Sequence, residues 1–213
     1  MPVNLNLAPG IPIDGIGLSP ISAGIKPDGS ADLLLIRLPA NSACAGVFTK
    51  NIFSAAPVIV AKKHLHASNG AVRAMLINSG NANAGTGRPG LEMACEHCAA
   101  VADALNVSAE QVLPFSTGVI GQLLPNEVMI AGIRTAANAF SNDWKAAARS
   151  IMTTDTEPKL TSRQVKVDDQ LITITGMAKG AGMIQPNMAT MLSYLFTDAT
   201  IALPDLQLSL IHI

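Results

Sequence analysis

Residues 71–115 read AVRAMLINSGNANAGTGRPGLEMACEHCAAVADALNVSAEQVLPF, and this stretch decides what kind of fold the sequence can adopt. It opens with an apolar, strand-like run over residues 71–78. A glycine-rich loop follows, and a short strand is predicted over residues 112–115. Between them a helix is predicted, because apolar side chains recur at helical spacing at Leu91, Cys95, Cys98, Ala102 and Leu105. Alternating strand and helix signals indicate the α/β or α+β class.

The sequence before this stretch is predicted to contain strands over residues 33–38 and 43–49. The turn-forming residues 39–42, PANS, join them as a hairpin. Residues 57–61 are a further strand candidate, and a short helix is predicted over residues 62–67.

The sequence after it predicts a helix over residues 125–140, with a proline near its first turn. Capping residues at 141–143 precede a short helical piece that ends at residue 150. Residues 164–167 and 171–175 form a predicted hairpin, and residues 191–196 are the last predicted strand. This many hairpins favours antiparallel pairing over a doubly wound sheet.

The composition indicates a globular chain whose surface is covered by a partner. Of 213 residues, 49% are hydrophobic and 14% are charged, well below the roughly 25% charged residues of an ordinary domain. A net charge of -1 without charged runs argues against nucleic acid or an anionic membrane as the main partner. No window approaches the ~18 apolar residues of a spanning helix, and no export signal precedes the three cysteines. We therefore expect reduced thiols and a cytoplasmic protein.

Two motifs with familiar spacing are interpreted as structural. Residues 85–90, GTGRPG, match a dinucleotide-binding pattern, but they lie too far from the preceding strand and contain a proline. Cys95 and Cys98 form a C-x-x-C pair without a second pair, so we expect buried thiols and no metal. His64 and His66 receive no catalytic role.

Three segments carry candidate chemistry. Residues 176–190, GMAKGAGMIQPNMAT, form a long loop that is poor in charge, and Thr190 stands where the loop enters a buried strand. This is the position that a threonine nucleophile needs. Thr117 and Gly118 place a hydroxyl and an amide side by side, as an oxyanion requires. The hydroxyl and carboxyl groups of residues 152–157 could cap a turn or line a polar pocket.

The chain resembles one family closely, the glutamate N-acetyltransferases of arginine biosynthesis, also called ornithine acetyltransferases. Six blocks in the same order carry the resemblance, from about residue 24 to residue 199: GIKPDGSADLLLI, AGVFTKNIFSAAPV, RAMLINSGNANAGTG, STGVIG, MTTDTEPK and KGAGMIQPNMATML. The resemblance implies a layered α/β sandwich of mixed sheets and helices.

The resemblance also implies a precursor that cleaves itself between Ala189 and Thr190. Residues 1–189 would be the α-chain region, and residues 190–213 the start of a truncated β-chain. The freed α-amine of Thr190 has a reference pKa of about 7.7 to 8.0, so it can act as the base for its own hydroxyl.

The implied reaction moves the acetyl group of N-acetylornithine to glutamate through an acetyl ester on Thr190. By the same resemblance Thr117 and Gly118 stabilise the oxyanion, whereas Thr153, Lys179 and Thr190 bind substrate. No cofactor and no metal are expected, although acetyl-CoA could serve as a second acetyl donor. The implied assembly is an α2β2 heterotetramer.

Two other functions remain open at this point. A related self-cleaving aminopeptidase or amidase would hydrolyse the acyl-enzyme, and a non-catalytic α/β binding module would not cleave itself. Family members continue well beyond the cleavage site, whereas only a short segment follows Ala189 here. We therefore expect low solubility of the isolated chain.

Overall fold

Strands and helices alternate along the first two thirds of the chain, and a hairpin and a further strand follow. The computed structural model describes residues 10–182 and 191–212. The described residues form seven strands: β1 (Gly17–Ile21), β2 (Leu33–Arg37), β3 (Ala74–Asn81), β4 (Val112–Val119), β5 (Lys159–Val167), β6 (Gln170–Lys179) and β7 (Leu192–Thr197). They also form five α-helices: α1 (Ala56–Ala67), α2 (Gly87–Leu105), α3 (Asn126–Ala136), α4 (Trp144–Ser150) and α5 (Leu203–His212).

The first sheet is mixed and has the strand order β1-β2-β3-β4. Strand β2 pairs antiparallel with β1 and β3, and β3 pairs parallel with β4. Helix α2 connects β3 to β4, as a parallel pair requires. The glycine-rich residues after β3 lead directly into α2 rather than into a dinucleotide loop. The central stretch therefore folds as strand, helix and strand, as predicted.

The predicted hairpin over residues 33–49 is wrong, because residues 43–49 have no regular structure. The antiparallel neighbour of β2 on its free side is instead β1, whose sequence GLSPI contains glycine, serine and proline and gives little strand signal. A loop joins β1 to β2, and the buried carboxylate of Asp32 accepts hydrogen bonds from backbone amides of this loop.

The strand candidate over residues 57–61 is also wrong, since these residues begin α1. Pro57 lies in the first turn, where its missing N–H would have no partner in any case. One half of the cysteine prediction fails as well. Cys98 is buried on the inner face of α2, whereas Cys95 is exposed.

The other predicted elements are confirmed with small changes in their bounds. Helix α2 ends at Leu105, and the next residue, Asn106, adopts the left-handed conformation typical of helix ends. The side chain of Asp143 caps α4 by accepting a hydrogen bond from the Ala146 amide at 2.9 Å. Strands β5 and β6 form the expected hairpin, and β7 adds to it.

Two apolar cores lie on the two faces of the first sheet. On one face, side chains of β2 and β3 pack against α1, α2 and α3, with Val60, Cys98 and Ile133 fully enclosed. The other face packs against α4 and the β5–β6–β7 sheet. Ring contacts connect these layers, since the Trp144 and Phe196 ring centroids lie 5.1 Å apart. The result is the layered α/β sandwich that the resemblance implied.

The far side of the β5–β6–β7 sheet forms an exposed apolar surface. We call it the outer face, and its exposed apolar side chains are Val165, Val167, Ile174 and Leu195.

Among the described residues, no helix is long and apolar enough to cross a bilayer.

Candidate active site

The parallel strands β3 and β4 approach each other unusually closely at their carboxyl ends. Gly80 pairs with Gly118 there, and Gly118 has a φ of +138°. A Cβ atom on Gly118 would overlap the backbone of Gly80 and Asn81. Only glycine therefore fits at position 118, and this close approach fixes the position of the neighbouring Thr117.

A buried carboxylate brings Lys26 to the same corner. The oxygens of Asp32 accept four backbone N–H hydrogen bonds, from residues 23, 24, 25 and 26, at 2.6 to 3.1 Å. These bonds wrap the chain around Asp32 and place the stem of Lys26 against Gly80. The ammonium group of Lys26 donates to the Ala31 carbonyl at 3.1 Å.

Lys179, at the end of β6, reaches the same corner from the second sheet. Its side chain is only 3% exposed. The ammonium group donates to the Thr117 hydroxyl at 3.1 Å and to the Thr153 hydroxyl at 2.7 Å. Since an ammonium can only donate, both threonine oxygens act as acceptors and keep their own hydroxyl protons for other partners.

The carboxylate of Asp155 lies beneath this cluster and is fully buried. It accepts from Lys159 at 2.6 Å, from the Gly180 amide at 2.7 Å and from the Thr153 amide at 3.3 Å. Burial alone would raise the pKa of Asp155, but the hydrogen bonds from Lys159, Gly180 and Thr153 outweigh it and lower that pKa. Asp155 is therefore ionised at neutral pH.

Burial also lowers the pKa values of Lys179 and Lys26. It lowers the pKa of Lys179, although the Asp155 carboxylate opposes this effect. It lowers the pKa of Lys26 as well, against the attraction of Asp32 and Asp28. Two partly desolvated cations therefore face one region of the protein, and this arrangement attracts anions.

The cluster forms one wall of a large cavity of about 1610 Å³. Lys26, Thr117, Gly118, Thr153 and Lys179 form one polar corner of it, and β7, α5 and residues 43–55 line much of the rest. The volume exceeds the roughly 300–1,000 Å³ of an ordinary small-molecule pocket. This polar corner is the candidate ligand site.

The structure thus brings together four of the residues predicted from the sequence: Thr117, Gly118, Thr153 and Lys179. Both alternatives for residues 152–157 have a counterpart in the structure, since Thr153 and Thr154 line the cavity and the Asp155 carboxylate accepts from the Thr153 amide. The predicted nucleophile Thr190 and the cleavage position Ala189 lie outside the described residues. In the described part of the chain, no three His, Cys, Asp or Glu side chains cluster as a metal site would require.

Two charged residues of this cluster were missed by the sequence reasoning, Lys26 and Lys159, and Asp155 was named only as one of the carboxyl groups of residues 152–157. A signal for them was present, since GIKPDGSAD and MTTDTEPK are two of the blocks that carry the family resemblance. Their roles depend on contacts between distant elements, which the spacing within each block does not reveal.

The chain is a layered α/β protein in which a buried cation and threonine hydroxyls meet at the wall of a cavity. The chain belongs to the ArgJ family, whose sequence profile matches residues 18–213. It is 52% identical over 197 residues to the arginine biosynthesis bifunctional protein ArgJ of Pseudomonas fluorescens, covering 92% of this chain and 48% of that protein. The ArgJ protein of Methylococcus capsulatus gives the same identity and coverage. The chain spans about half the length of these curated relatives.

Two solved structures share the fold. One is the crystal structure of the arginine biosynthesis bifunctional protein ArgJ from Bacillus halodurans, with a TM-score of 0.76 and 38% identity over 83% of this chain and 92% of that one. The other is the ornithine acetyltransferase of Mycobacterium tuberculosis, complexed with ornithine. Its TM-score is 0.77, with 38% identity over 85% of this chain and 96% of that one.

Proposed function

We propose that this chain carries the threonine-dependent acetyl-transfer site of an ArgJ enzyme. The acetyl group of N-acetylornithine moves to Thr190 as an ester, ornithine leaves, and glutamate takes the acetyl group to become N-acetylglutamate. The observation that carries the proposal is the buried ammonium group of Lys179, which holds the hydroxyls of Thr117 and Thr153 at one corner of the cavity.

The contacts of Lys179 suit the recognition of a carboxylate. An ammonium group has three donors, and two of them point to Thr117 and Thr153. The third has no acceptor at hydrogen-bond distance among the described residues, since Asp155 lies at 3.8 Å. N-acetylornithine and glutamate both carry an α-carboxylate, and a buried cation with a spare donor binds such a group well.

The Thr117 hydroxyl supports the chemical step. Because its oxygen accepts from Lys179, its own proton remains to be donated to the oxyanion of a tetrahedral intermediate. The Lys179 contact also makes that hydroxyl a better donor, since hydrogen bonds in a chain polarise one another. The Gly118 amide is the second oxyanion donor in this proposal.

Proton movements balance in both half-reactions of the proposal. The Thr190 hydroxyl attacks the acetyl carbon, and its proton passes through the α-amine of Thr190 to the departing nitrogen of ornithine. The amine of glutamate then attacks the ester, and its proton returns to the Thr190 oxygen. No cofactor or metal enters either step, and acetyl-CoA could replace N-acetylornithine as the donor.

This reaction requires cleavage between Ala189 and Thr190, which would separate residues 1–189 from residues 190–213. The lengths of the relatives support such a division. The curated relatives are about twice as long as the stretch they share with this chain, whereas the solved chains match over 92% and 96% of their own length. In this proposal the two pieces assemble as an α2β2 tetramer in the cytoplasm.

The first experiment is the intact mass of the purified chain under denaturing conditions. We expect a species that ends at Ala189, absent from a Thr190→Ala variant and present in the control Thr135→Ala, which removes an exposed helical hydroxyl. A version extended to the length of the curated relatives is measured beside it. If that longer version also stays uncut, the assignment of Thr190 as the nucleophile fails.

The second experiment follows the acetyl group in the extended version. After incubation with N-acetylornithine alone, we expect one acetyl group on the peptide that begins with Thr190, and its loss when glutamate is added. Lys179→Met should raise KM for both substrates. Release of free acetate without glutamate would instead identify a hydrolase.

A further inference from the structure

The carboxylate of Asp155 divides its contacts unevenly between two lysines. Its Oδ1 atom accepts from Lys159 Nζ at 2.6 Å, whereas its Oδ2 atom lies 3.8 Å from Lys179 Nζ. The second distance exceeds that of a hydrogen bond. Lys159 is therefore the main charge partner of Asp155, and it is also the more exposed of the two lysines, at 36% against 3%.

This division leaves the charge of Lys179 available. Two lysines and one carboxylate carry a net charge of +1, and the shorter of the two ion contacts of Asp155 is the one with Lys159. If Lys179 were at hydrogen-bond distance from Asp155 instead, its third donor would be occupied. A neutral buried pair would then replace the cation that faces the cavity.

We propose that Lys159 is a positioning residue, which by pairing with Asp155 keeps the ammonium group of Lys179 on the two threonine hydroxyls and open to the carboxylate of a ligand. The proposal rests on the proposed function, because it takes carboxylate-bearing molecules as the ligands of the cavity. Lys159 would then be the reason why Lys179 pairs with the buried carboxylate of Asp155 only at 3.8 Å, beyond the distance of a hydrogen bond.

The charges of Asp155 and Lys159 change the pKa of Lys179 in opposite directions, as expected if the two residues compete for its charge. The Asp155 carboxylate raises the pKa of Lys179 and the Lys159 ammonium lowers it, both against a background of burial that lowers it. Lys26, which also lines the cavity, is close enough to Lys179 for their charges to interact. Removing the charge of Lys159 should therefore raise the pKa of Lys179, and removing the charge of Asp155 should lower it.

The first test measures the titration of Lys179 by NMR in this 213-residue chain labelled with ¹³C at lysine Cε. In Lys159→Met we expect the pKa of Lys179 to rise, because a neighbouring positive charge is removed and the opposite charge of Asp155 comes closer. In Asp155→Asn we expect it to fall. Lys159→Arg should stay near the wild-type value, because arginine keeps the charge and can still reach the carboxylate.

The second test measures KM and kcat in the version extended to the length of the curated relatives. Lys159→Met should raise KM for glutamate and for N-acetylornithine about tenfold, the effect of a weakened charge-assisted hydrogen bond, with a smaller change in kcat. Lys159→Arg should restore KM. The matched control is Lys166→Met on the same strand, which removes an exposed lysine paired with Asp169 at 2.7 Å and should leave KM unchanged.

The outcomes separate this proposal from a merely structural role and from the proposed function itself. A structural role would lower the melting temperature of Lys159→Met without moving the pKa of Lys179 or the KM values, and that result overturns the proposal. If Lys159→Met does not fold, Lys159→Gln provides the same comparison, since it can still hydrogen bond to Asp155. The NMR test needs no acetyl transfer, so it stands even if the extended version proves inactive.

Discussion

At the scale of single residues, the site depends on side chains whose size is fixed by their neighbours. Gly118 has no room for a methyl group, because a Cβ atom would overlap the backbone of β3. The neighbouring Thr117 then faces Lys179 across the sheets. The close approach of β3 and β4 thus has two consequences: only glycine fits at position 118, and the Thr117 hydroxyl is held beside Lys179.

We expect Gly118→Ala to destabilise the chain by about 3 kcal/mol, through backbone overlap and an unfavourable positive φ. Urea unfolding followed by the fluorescence of the buried Trp144 measures this. The matched control is Gly121→Ala, whose φ is +83° but whose Cβ would meet nothing within 4 Å, so it should cost only about 1–2 kcal/mol. Equal losses for the two variants would contradict the steric argument.

At the scale of elements, local patterns predicted α2 and α4 but missed β1, α5 and the first half of α1. The apolar spacing of α2 and the capping residues before α4 are properties of short stretches, and both helices were predicted. Strand β1 was missed and a strand over residues 43–49 was wrongly assigned. What makes β1 a strand is its register with β2, a tertiary contact that overrides weak propensity.

For the site, the identity of the residues was predictable from short sequence motifs, whereas their arrangement in space was not. The candidate residues Thr117, Gly118, Thr153 and Lys179 lie in the motif blocks, so the family resemblance pointed to them. Their geometry was not predictable, because Lys179 meets Thr117 and Thr153 over separations of 62 and 26 residues. Such contacts depend on how the two sheets pack.

The stability of helix α4 affects the site, because the segment that carries Thr153 and Asp155 follows directly after this helix. Its N-cap, Asp143, accepts from the Ala146 amide, and the carbonyl of its last residue, Ser150, accepts from the Ser79 hydroxyl in β3. The chain then continues directly into Thr153 and Asp155. The cap therefore helps to hold the segment that supports Lys179.

We expect Asp143→Ala to lower the free energy of unfolding by about 1 kcal/mol, the usual cost of losing an N-cap. For a chain of this size the melting temperature should fall by about 2–4 °C. Thermal unfolding by circular dichroism measures the shift. Asp143→Asn keeps a capping oxygen and should lose little, and Asp103→Ala on the exposed side of α2 should be neutral. A neutral Asp143→Ala would show that α4 does not need its cap.

At the scale of the whole molecule, both the composition and the exposed surface favour association between copies of the chain. Only 14% of the residues are charged and the net charge is -1, so electrostatic repulsion between copies is weak. The outer face exposes Val165, Ile174 and Leu195, each between 42% and 50%. Contiguous apolar surface of this kind drives association in water.

We expect the isolated chain to associate as its concentration rises, which size-exclusion chromatography with light scattering measures directly. Ile174→Thr combined with Leu195→Thr should shift association to higher concentration without lowering the melting temperature, because threonine is well tolerated in strands. The matched control makes the same change at Ile120 and Leu123, two exposed side chains outside the β5–β6–β7 sheet. If the control suppresses association equally, the outer face is not the surface responsible, and a monodisperse wild-type chain at every concentration would refute the argument altogether.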